Sequence, residues 1–254
     1  MSTKRKQLNI GIVTFPLLKS GITPLSNLVD ILYPLSGDFY LITGNAGAAI
    51  HSNRKKFHVY LINHTTEANM LIRIMNFAYT QLRISYKLAR VTKHVQLWFL
   101  FLGEGGLLLP MLTTKLLRKK TVLVSAASNQ RISTATKDPL SWPTTLLEKL
   151  NRSLANCIIL YSPNHIKEWN LEKYKDKILI AHEHFLDFNK FNVKKKLSER
   201  NNLVGYIGRL SEEKGVFNFV KAIPEILKEK NDLEFLICGD GQLRDEIEKY
   251  ISEK

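Results

Sequence analysis

Apolar residues fall into two alternating patterns along the chain. Short, near-continuous runs predict buried strands: Leu8–Phe15, Phe39–Gly44, Phe57–Asn63, Val95–Phe101, Thr121–Ser125, Cys157–Ser162, Lys177–Ile180, Leu203–Ile207 and Leu233–Cys238. Between them, apolar residues spaced by three and four predict helices: Leu25–Leu35, Asn69–Val95, Leu107–Leu117, Thr145–Leu154, Asn164–Leu171, Val216–Lys230 and one starting near Gln242. The first helix is expected to begin with Thr23 as N-cap and Pro24 at its first position. In Val216–Lys230 the residues Val216, Phe219, Val220, Ile223, Ile226 and Leu227 form one face, and Pro224 is expected to bend it. Strand–helix alternation of this kind is an α/β pattern with doubly wound parallel sheets. Asn192–Asn202 is polar and charged and reads as a linker. It separates a Rossmann-like unit, 1–191, from a shorter one, 203–254.

Two stretches admit more than one reading. Val95–Leu117 is long and apolar enough to pass for a membrane span. Glycines, Pro110 and above all Glu104 interrupt it, and a glutamate at mid-bilayer is costly. A strand, a glycine turn and a helix fit better. Asn69–Val95 interleaves Leu71, Ile74, Met75, Leu82, Ile84 and Leu88 with Arg73, Arg83, Lys87, Arg90 and Lys93. It reads either as a basic amphipathic helix on an anionic membrane or as a core-packing helix with a solvated face.

The candidate chemistry is concentrated near the end of the chain. Leu203-Val204-Gly205-Tyr206-Ile207-Gly208-Arg209-Leu210-Ser211-Glu212-Glu213-Lys214-Gly215 reads as strand, loop and helix start. Gly208 and Gly215 bracket the loop, which lets backbone approach a ligand. Arg209 and Lys214 place positive charge beside the N-terminus of the helix at Val216, where unpaired N–H groups already favour an anion. A phosphate or diphosphate suits such a loop. The next strand ends in Gly239-Asp240-Gly241, again ahead of a helix. Both loops fall at the carboxyl ends of parallel strands, where ligands of such sheets bind.

Gly205–Gly215 followed by Phe235-Leu236-Ile237-Cys238-Gly239-Asp240-Gly241-Gln242-Leu243-Arg244 closely resembles the donor domain of the GT-B glycosyltransferases of family 4, the glycosyl transferases group 1. The resemblance implies a GT-B-like architecture of two Rossmann-like domains, the second incomplete here. It implies sugar transfer from a nucleotide-diphosphate sugar, with retention and without metal, to a glycan or lipid-linked acceptor. The positions of Arg209 and Lys214 would hold the donor diphosphate, and Gly208, Gly239, Asp240 and Gly241 would lie near the nucleotide. On the acceptor side Ser20-Gly21 stands where relatives carry a Gly pair, and Val124-Ser125-Ala126-Ala127-Ser128-Asn129 lacks the usual His. Ser20, Gly21, Ser128 and Asn129 are the candidates there, against plain loop roles. Relatives continue beyond the equivalent of Lys254 through a paired-Glu segment that holds the donor ribose. The chain is therefore expected to be a fragment, to be completed by a partner chain, or to be an inactive binding relative.

Charge narrows the partners. Of a net charge of +14, residues 197–254 contribute 9 Lys/Arg against 12 Asp/Glu, so the basic character belongs to the preceding part. That favours an anionic membrane surface or lipid-phosphate acceptor. Nucleic acid is disfavoured because no aromatics interleave with the cations in a known motif. There is no Asp-x-Asp pair for a metal, and His182-x-His184 lacks further ligands. Cys157 and Cys238 lie in apolar strands and read as buried thiols of a reducing compartment. Leu8–Val13 is too short for a signal peptide, which points to the cytoplasm and the cytoplasmic membrane face.

Overall fold

The computed structural model describes residues 7–50, 54–65, 67, 69–102, 104–126, 141–186, 188–189 and 191–253. It divides into two units, Met1–Phe185 and Leu186–Lys254. In the first, strands β1 (Leu8–Val13), β2 (Ser36–Thr43), β3 (Phe57–Leu61), β4 (Leu97–Phe101), β5 (Lys120–Ser125), β6 (Cys157–Leu160) and β7 (Ile178–Ile180) form a parallel sheet in the order β3-β2-β1-β4-β5-β6-β7. The chain winds outward in both directions from the β1–β4 pair, as the α/β reading requires. Its helices are α1 (Ile22–Leu32), α2 (Met70–Val91), α3 (Leu108–Leu116), α4 (Ser141–Leu154) and α5 (Asn164–Glu168).

The period of two along each strand divides the core in two. Ile10, Ile12, Phe39, Leu41, Phe99 and Phe101 pack on one face with Leu25, Leu28 and Val29 of α1. Val13, Ile42, Trp98 and Leu100 pack on the other with Ile84 and Leu88 of α2 and Met111 of α3. Cover on both faces is why the strands read as continuous apolar runs. At the centre, Trp98 fills the space beside Gly11, where an added Cβ would lie 2.4 Å from its ring. Its indole N–H donates to Thr92 Oγ1 at 2.7 Å, so this large buried ring leaves no polar atom stranded.

Some helix limits differ from the sequence reading for local reasons. The N-cap of α1 is Gly21, not Thr23, because a 3₁₀ turn over Lys19–Gly21 runs directly into it. The helix stops at Leu32, and a further 3₁₀ turn, Tyr33–Leu35, carries Pro34, which has no N–H to continue the ladder. Asn69 caps α2, accepting from the Leu71 and Ile72 amides at 2.9 and 3.3 Å.

The apolar 95–117 stretch is β4, a 3₁₀ turn at Glu104–Gly106 and then α3, and no helix among the described residues is long and apolar enough to cross a membrane. Glu104 is buried and satisfied. Arg152 of α4 donates through Nε to its Oε1 at 2.6 Å and through a terminal nitrogen to its Oε2 at 3.2 Å. Ser125 Oγ also donates to this carboxylate, and Asn151 Nδ2 to the Glu104 carbonyl. Arg152 reaches the buried Glu148 as well, at 3.4 Å. Burial pushes the Glu104 carboxyl above its usual range, against the opposing pull of Arg152.

The second unit is smaller. Parallel strands β8 (Leu203–Ile207) and β9 (Glu234–Cys238) carry helices α6 (Val216–Glu229), which continues through Pro224, and α7 (Arg244–Ser252). Leu210, Val216, Val220 and Ile247 form its core, with Tyr206, Phe219 and Ile237 packed against them. The opposite sheet face is open: Ile207 is 85% exposed, and Leu203, Leu236 and Cys238 are exposed with it. Cys238 is thus not the buried thiol expected from its apolar strand, because no described residue covers that side of β9. Cys157 is half-buried, and both cysteines are free.

Removing Arg152 leaves the Glu104 carboxylate buried without its cation. Arg152→Ala is expected to lower unfolding stability by about 3–5 kcal/mol, read by urea denaturation. The deficit should shrink on acidification, because protonating Glu104 removes a stranded charge. The double replacement R152M/E104Q should recover part of the loss.

Candidate functional site

The two glycine loops of the second unit are locked together at the carboxyl ends of β8 and β9. The Gly208 amide donates to the Cys238 carbonyl at 3.0 Å, Leu210 to the Asp240 carbonyl at 3.0 Å, and Leu243 back to the Leu210 carbonyl at 3.0 Å. The approach is close enough to require glycine. A Cβ on Gly239 would lie 1.8 Å from the Gly208 carbonyl oxygen, and one on Gly241 2.4 Å from that of Leu210. Tyr206, packed beside Phe219, supports the first loop by donating to the Arg209 carbonyl at 2.9 Å.

Past Arg209 the chain makes a 3₁₀ turn, Glu212–Lys214, and reverses at Gly215 with φ of 66°. That left-handed conformation suits glycine and sets the start of α6. Gly215 has no side chain with which to cap the helix, and the first turn of α6 holds no acidic residue. Its leading amides and positive dipole end therefore favour an anion. Lys214 is exposed beside them.

Arg209 is extended on the surface and pairs with Glu213 at 3.2 Å. An exposed pair of this kind is worth only ~0–1 kcal/mol, so a ligand anion can displace Glu213. The spacing of four between Arg209 and Glu213 was visible in the sequence, but the pairing was not anticipated.

The second loop is not equivalent to the first. Asp245 and Glu246 occupy the first turn of α7, which disfavours an anion at that end. Asp240 is exposed, accepts from the adjacent Gly241 amide at 2.9 Å and sits 3.9 Å from Arg244, which in turn pairs with Glu248 at 2.8 Å. The geometry thus concentrates anion-binding capacity on the Arg209–Gly215 loop and leaves Gly239–Gly241 as the backbone wall packed against it.

In the first unit, Ser20 is exposed and Gly21 half-buried in the turn that follows β1, at the carboxyl edge of the sheet. Ser128 and Asn129 lie outside the described residues. A group at this edge that the sequence reading did not single out is His64, after β3. Its Nδ1 is 2.9 Å from Thr80 Oγ1, the ring of Phe15 meets it edge-on at 5.0 Å, and burial lowers its pKa. His182 and His184 lean against the Tyr161 ring at 6.5 and 5.2 Å. The Tyr161 hydroxyl donates to the buried Glu183 at 2.6 Å, and burial together with that carboxylate raises its pKa. The His-x-His spacing thus serves aromatic packing. Among the described residues no group of three or more His, Cys, Asp or Glu side chains could hold a metal ion.

Known proteins resemble the chain in sequence over part of its length and in fold over most of it. An α-D-kanosaminyltransferase of Streptomyces kanamyceticus is 34% identical over 80 residues, covering 30% of this chain and 21% of that protein. A GalNAc-α-(1->4)-GalNAc-α-(1->3)-diNAcBac-PP-undecaprenol α-1,4-N-acetyl-D-galactosaminyltransferase of Campylobacter jejuni is 41% identical over 73 residues, covering 28% and 20%. The matched segments span about a fifth of these curated relatives. Solved structures match nearly the whole chain in fold. The glycotransferase of kitacinnamycin matches with a TM-score of 0.58 at 9% identity, covering 91% of this chain and 66% of that one. A UDP-N-acetylglucosamine 2-epimerase matches with a TM-score of 0.56 at 13% identity, covering 91% and 63%. The parallel-sheet α/β architecture is thus the one found in GT-B glycosyltransferases and such epimerases. Residues 187–254, which carry both glycine loops, match the family described as glycosyl transferases group 1.

Proposed function

We propose that the protein to which this chain belongs is a glycosyltransferase of the GT-B, family 4 type that uses a nucleotide-diphosphate sugar. The observation that carries this reading is the locked pair of glycine loops beside the uncapped N-terminus of α6, within the segment that matches the family model. Arg209, Lys214 and the leading amides of α6 hold the donor diphosphate and stabilise its charge as it departs. Gly208, Gly239, Asp240 and Gly241 form the backbone wall near the nucleotide. Positive charge from side chains and a helix end replaces a divalent ion in this scheme, so transfer proceeds without metal, and retention is what the resemblance to family 4 implies. Chelation with EDTA should leave the rate unchanged.

The acceptor is a glycan or lipid-linked sugar of the cell envelope, met at the carboxyl edge of the first unit near Ser20 and Gly21, with Ser128 and Asn129 as further candidates. The enzyme works in the cytoplasm, in peripheral contact with an anionic membrane through residues 69–95. A second reading, a non-catalytic nucleotide-sugar-binding remnant or subunit, is favoured by the open face of β8 and β9. In the catalytic reading further polypeptide, from the same or a partner chain, covers that face.

The test is calorimetric titration of the protein with UDP, dTDP, GDP and ADP, followed by a transfer assay with the matching sugar donors. One diphosphate should bind, and Arg209→Ala should weaken it at least about tenfold, as expected for loss of a charge-assisted hydrogen bond. Unchanged affinity removes Arg209 from the site. Tight binding without turnover selects the second reading.

Glycine substitutions probe the loop lock separately. Gly239→Ala should abolish diphosphate binding and destabilise the second unit by about 1–3 kcal/mol, because its Cβ collides with backbone. Gly205→Ala, with nothing within 4 Å of its Cβ, should bind normally. Equal behaviour of the two variants in binding and thermal unfolding would refute the lock.

A further inference from the structure

The strands of the first sheet are all parallel, so their starts share one edge, opposite the edge with the candidate acceptor loops. Three lysines meet at that amino edge, where α3 and α4 end. Lys115 lies in the last turn of α3, Lys120 opens β5, and Lys177 directly precedes β7. A tight turn brings the first two together. Arg118 takes a left-handed φ of 54°, and the Arg118 and Lys119 amides donate back to the Lys115 and Thr114 carbonyls, each at 2.9 Å.

Hydrogen bonds fix two of the three ammonium groups over one turn of chain. Lys115 Nζ donates to Asn156 Oδ1 at 2.6 Å, and Lys177 Nζ to the carbonyls of Ser153 and the adjacent Ala155, each at 2.9 Å. Asn156 is held in turn, because its Oδ1 accepts from the Thr121 amide at 3.1 Å. Burial first, then the charges of Lys177 and Lys120, hold the Lys115 ammonium below its usual pKa, and burial does the same for Lys177. Among the described residues no carboxylate pairs with Lys115, Lys120 or Lys177. The helix ends explain part of this cluster. Each supplies about half a negative charge, so α3 and α4 together offset about one of three positive charges. Donors also remain. An ammonium has three N–H groups; Lys177 uses two of them, Lys115 one, and Lys120 is exposed.

We propose that Lys115, Lys120 and Lys177 form a second anion site, at the amino edge of the first sheet, which takes a phosphate-type dianion, either free or as a phosphomonoester group. Charge and donor geometry select this ligand. Two negative charges balance what the helix ends leave over, and a tetrahedral oxyanion accepts from several directions at once. A single carboxylate would balance only half of that excess. The site is distinct from the donor loop, which belongs to the second unit. It is also about 17 Å from the carboxyl edge, the length of the six-residue β5. The inference does not depend on sugar transfer.

The test is an amide NMR titration of the labelled protein at constant ionic strength, above about pH 7, where phosphate is mostly doubly charged. The probes are inorganic phosphate, glycerol phosphate and chloride. Signals of Lys119, Lys120, Thr121, Ala155 and Asn156 should move and saturate with phosphate but not with chloride. Movement with glycerol phosphate as well assigns the site to a phosphomonoester, and movement with phosphate alone assigns it to the free anion; either result supports the proposal. K115Q/K120Q should weaken binding at least about tenfold. K120Q alone changes only an exposed side chain, so it should fold normally and still weaken binding about threefold. K228Q/K249Q removes as much charge from exposed positions of the second unit and should bind like the wild type. Absence of saturable movement at the named amides overturns the proposal, as does equal weakening by K228Q/K249Q. If phosphate moves only the Arg209–Gly215 signals, the proposal falls while the donor site stands. If the amino-edge signals respond but no nucleoside diphosphate binds, the proposal stands and the donor reading falls.

Discussion

Parallel strands must be covered on both faces, because their side chains are apolar on both and their crossovers leave no polar side. The first unit meets this requirement with α1 on one face and α2 and α3 on the other. The second meets it on one face only. Much else follows from that difference. Trp98 can occupy the centre of the first sheet because Gly11 leaves room and Thr92 takes its N–H. Glu104 can sit at the carboxyl edge because α4 brings a guanidinium to it. In the second unit, Ile207 and Cys238 belong to the same type of strand yet remain in solvent.

The candidate donor site depends on the uncovered unit but not on its uncovered face. The loops that follow β8 and β9 are held by each other's backbone and by Tyr206 from below. The lock holds the loop that leads into α6, whose first amides have no side-chain cap. A preorganised array of backbone dipoles stabilises a departing anion without rearranging. The weak Arg209–Glu213 pair keeps one cation nearby in a form that a ligand can recruit.

The first unit distributes its charge differently. Its excess of cations includes the four of α2, a helix with no acidic residue, and three of these run beside an apolar stripe that the core does not use. The same helix therefore serves as a layer of the fold and presents a surface outward. That division follows from geometry: the sheet can cover only about half of a helix's circumference.

Much of this was legible in the sequence. The apolar runs and the spacing of three and four determined the strands, the helices and the α/β class, since burial on two faces leaves no other pattern. Gly208, Gly215 and Gly239–Gly241 marked the loops, since few other residues allow a reversal or a near backbone contact. Other features came only from the folded chain. The sequence showed a glutamate in an apolar stretch but not that Arg152, far along the chain, would neutralise it. It showed a basic amphipathic helix and left two readings open, where the structure gives the helix both a buried and an outward face. It presented two similar glycine loops, whereas the acidic first turn of α7 and the open first turn of α6 make them unequal. Local pattern determines which conformation a segment prefers. Which partner reaches a buried charge, and which face is covered, depends on residues distant in the chain that only tertiary packing brings together.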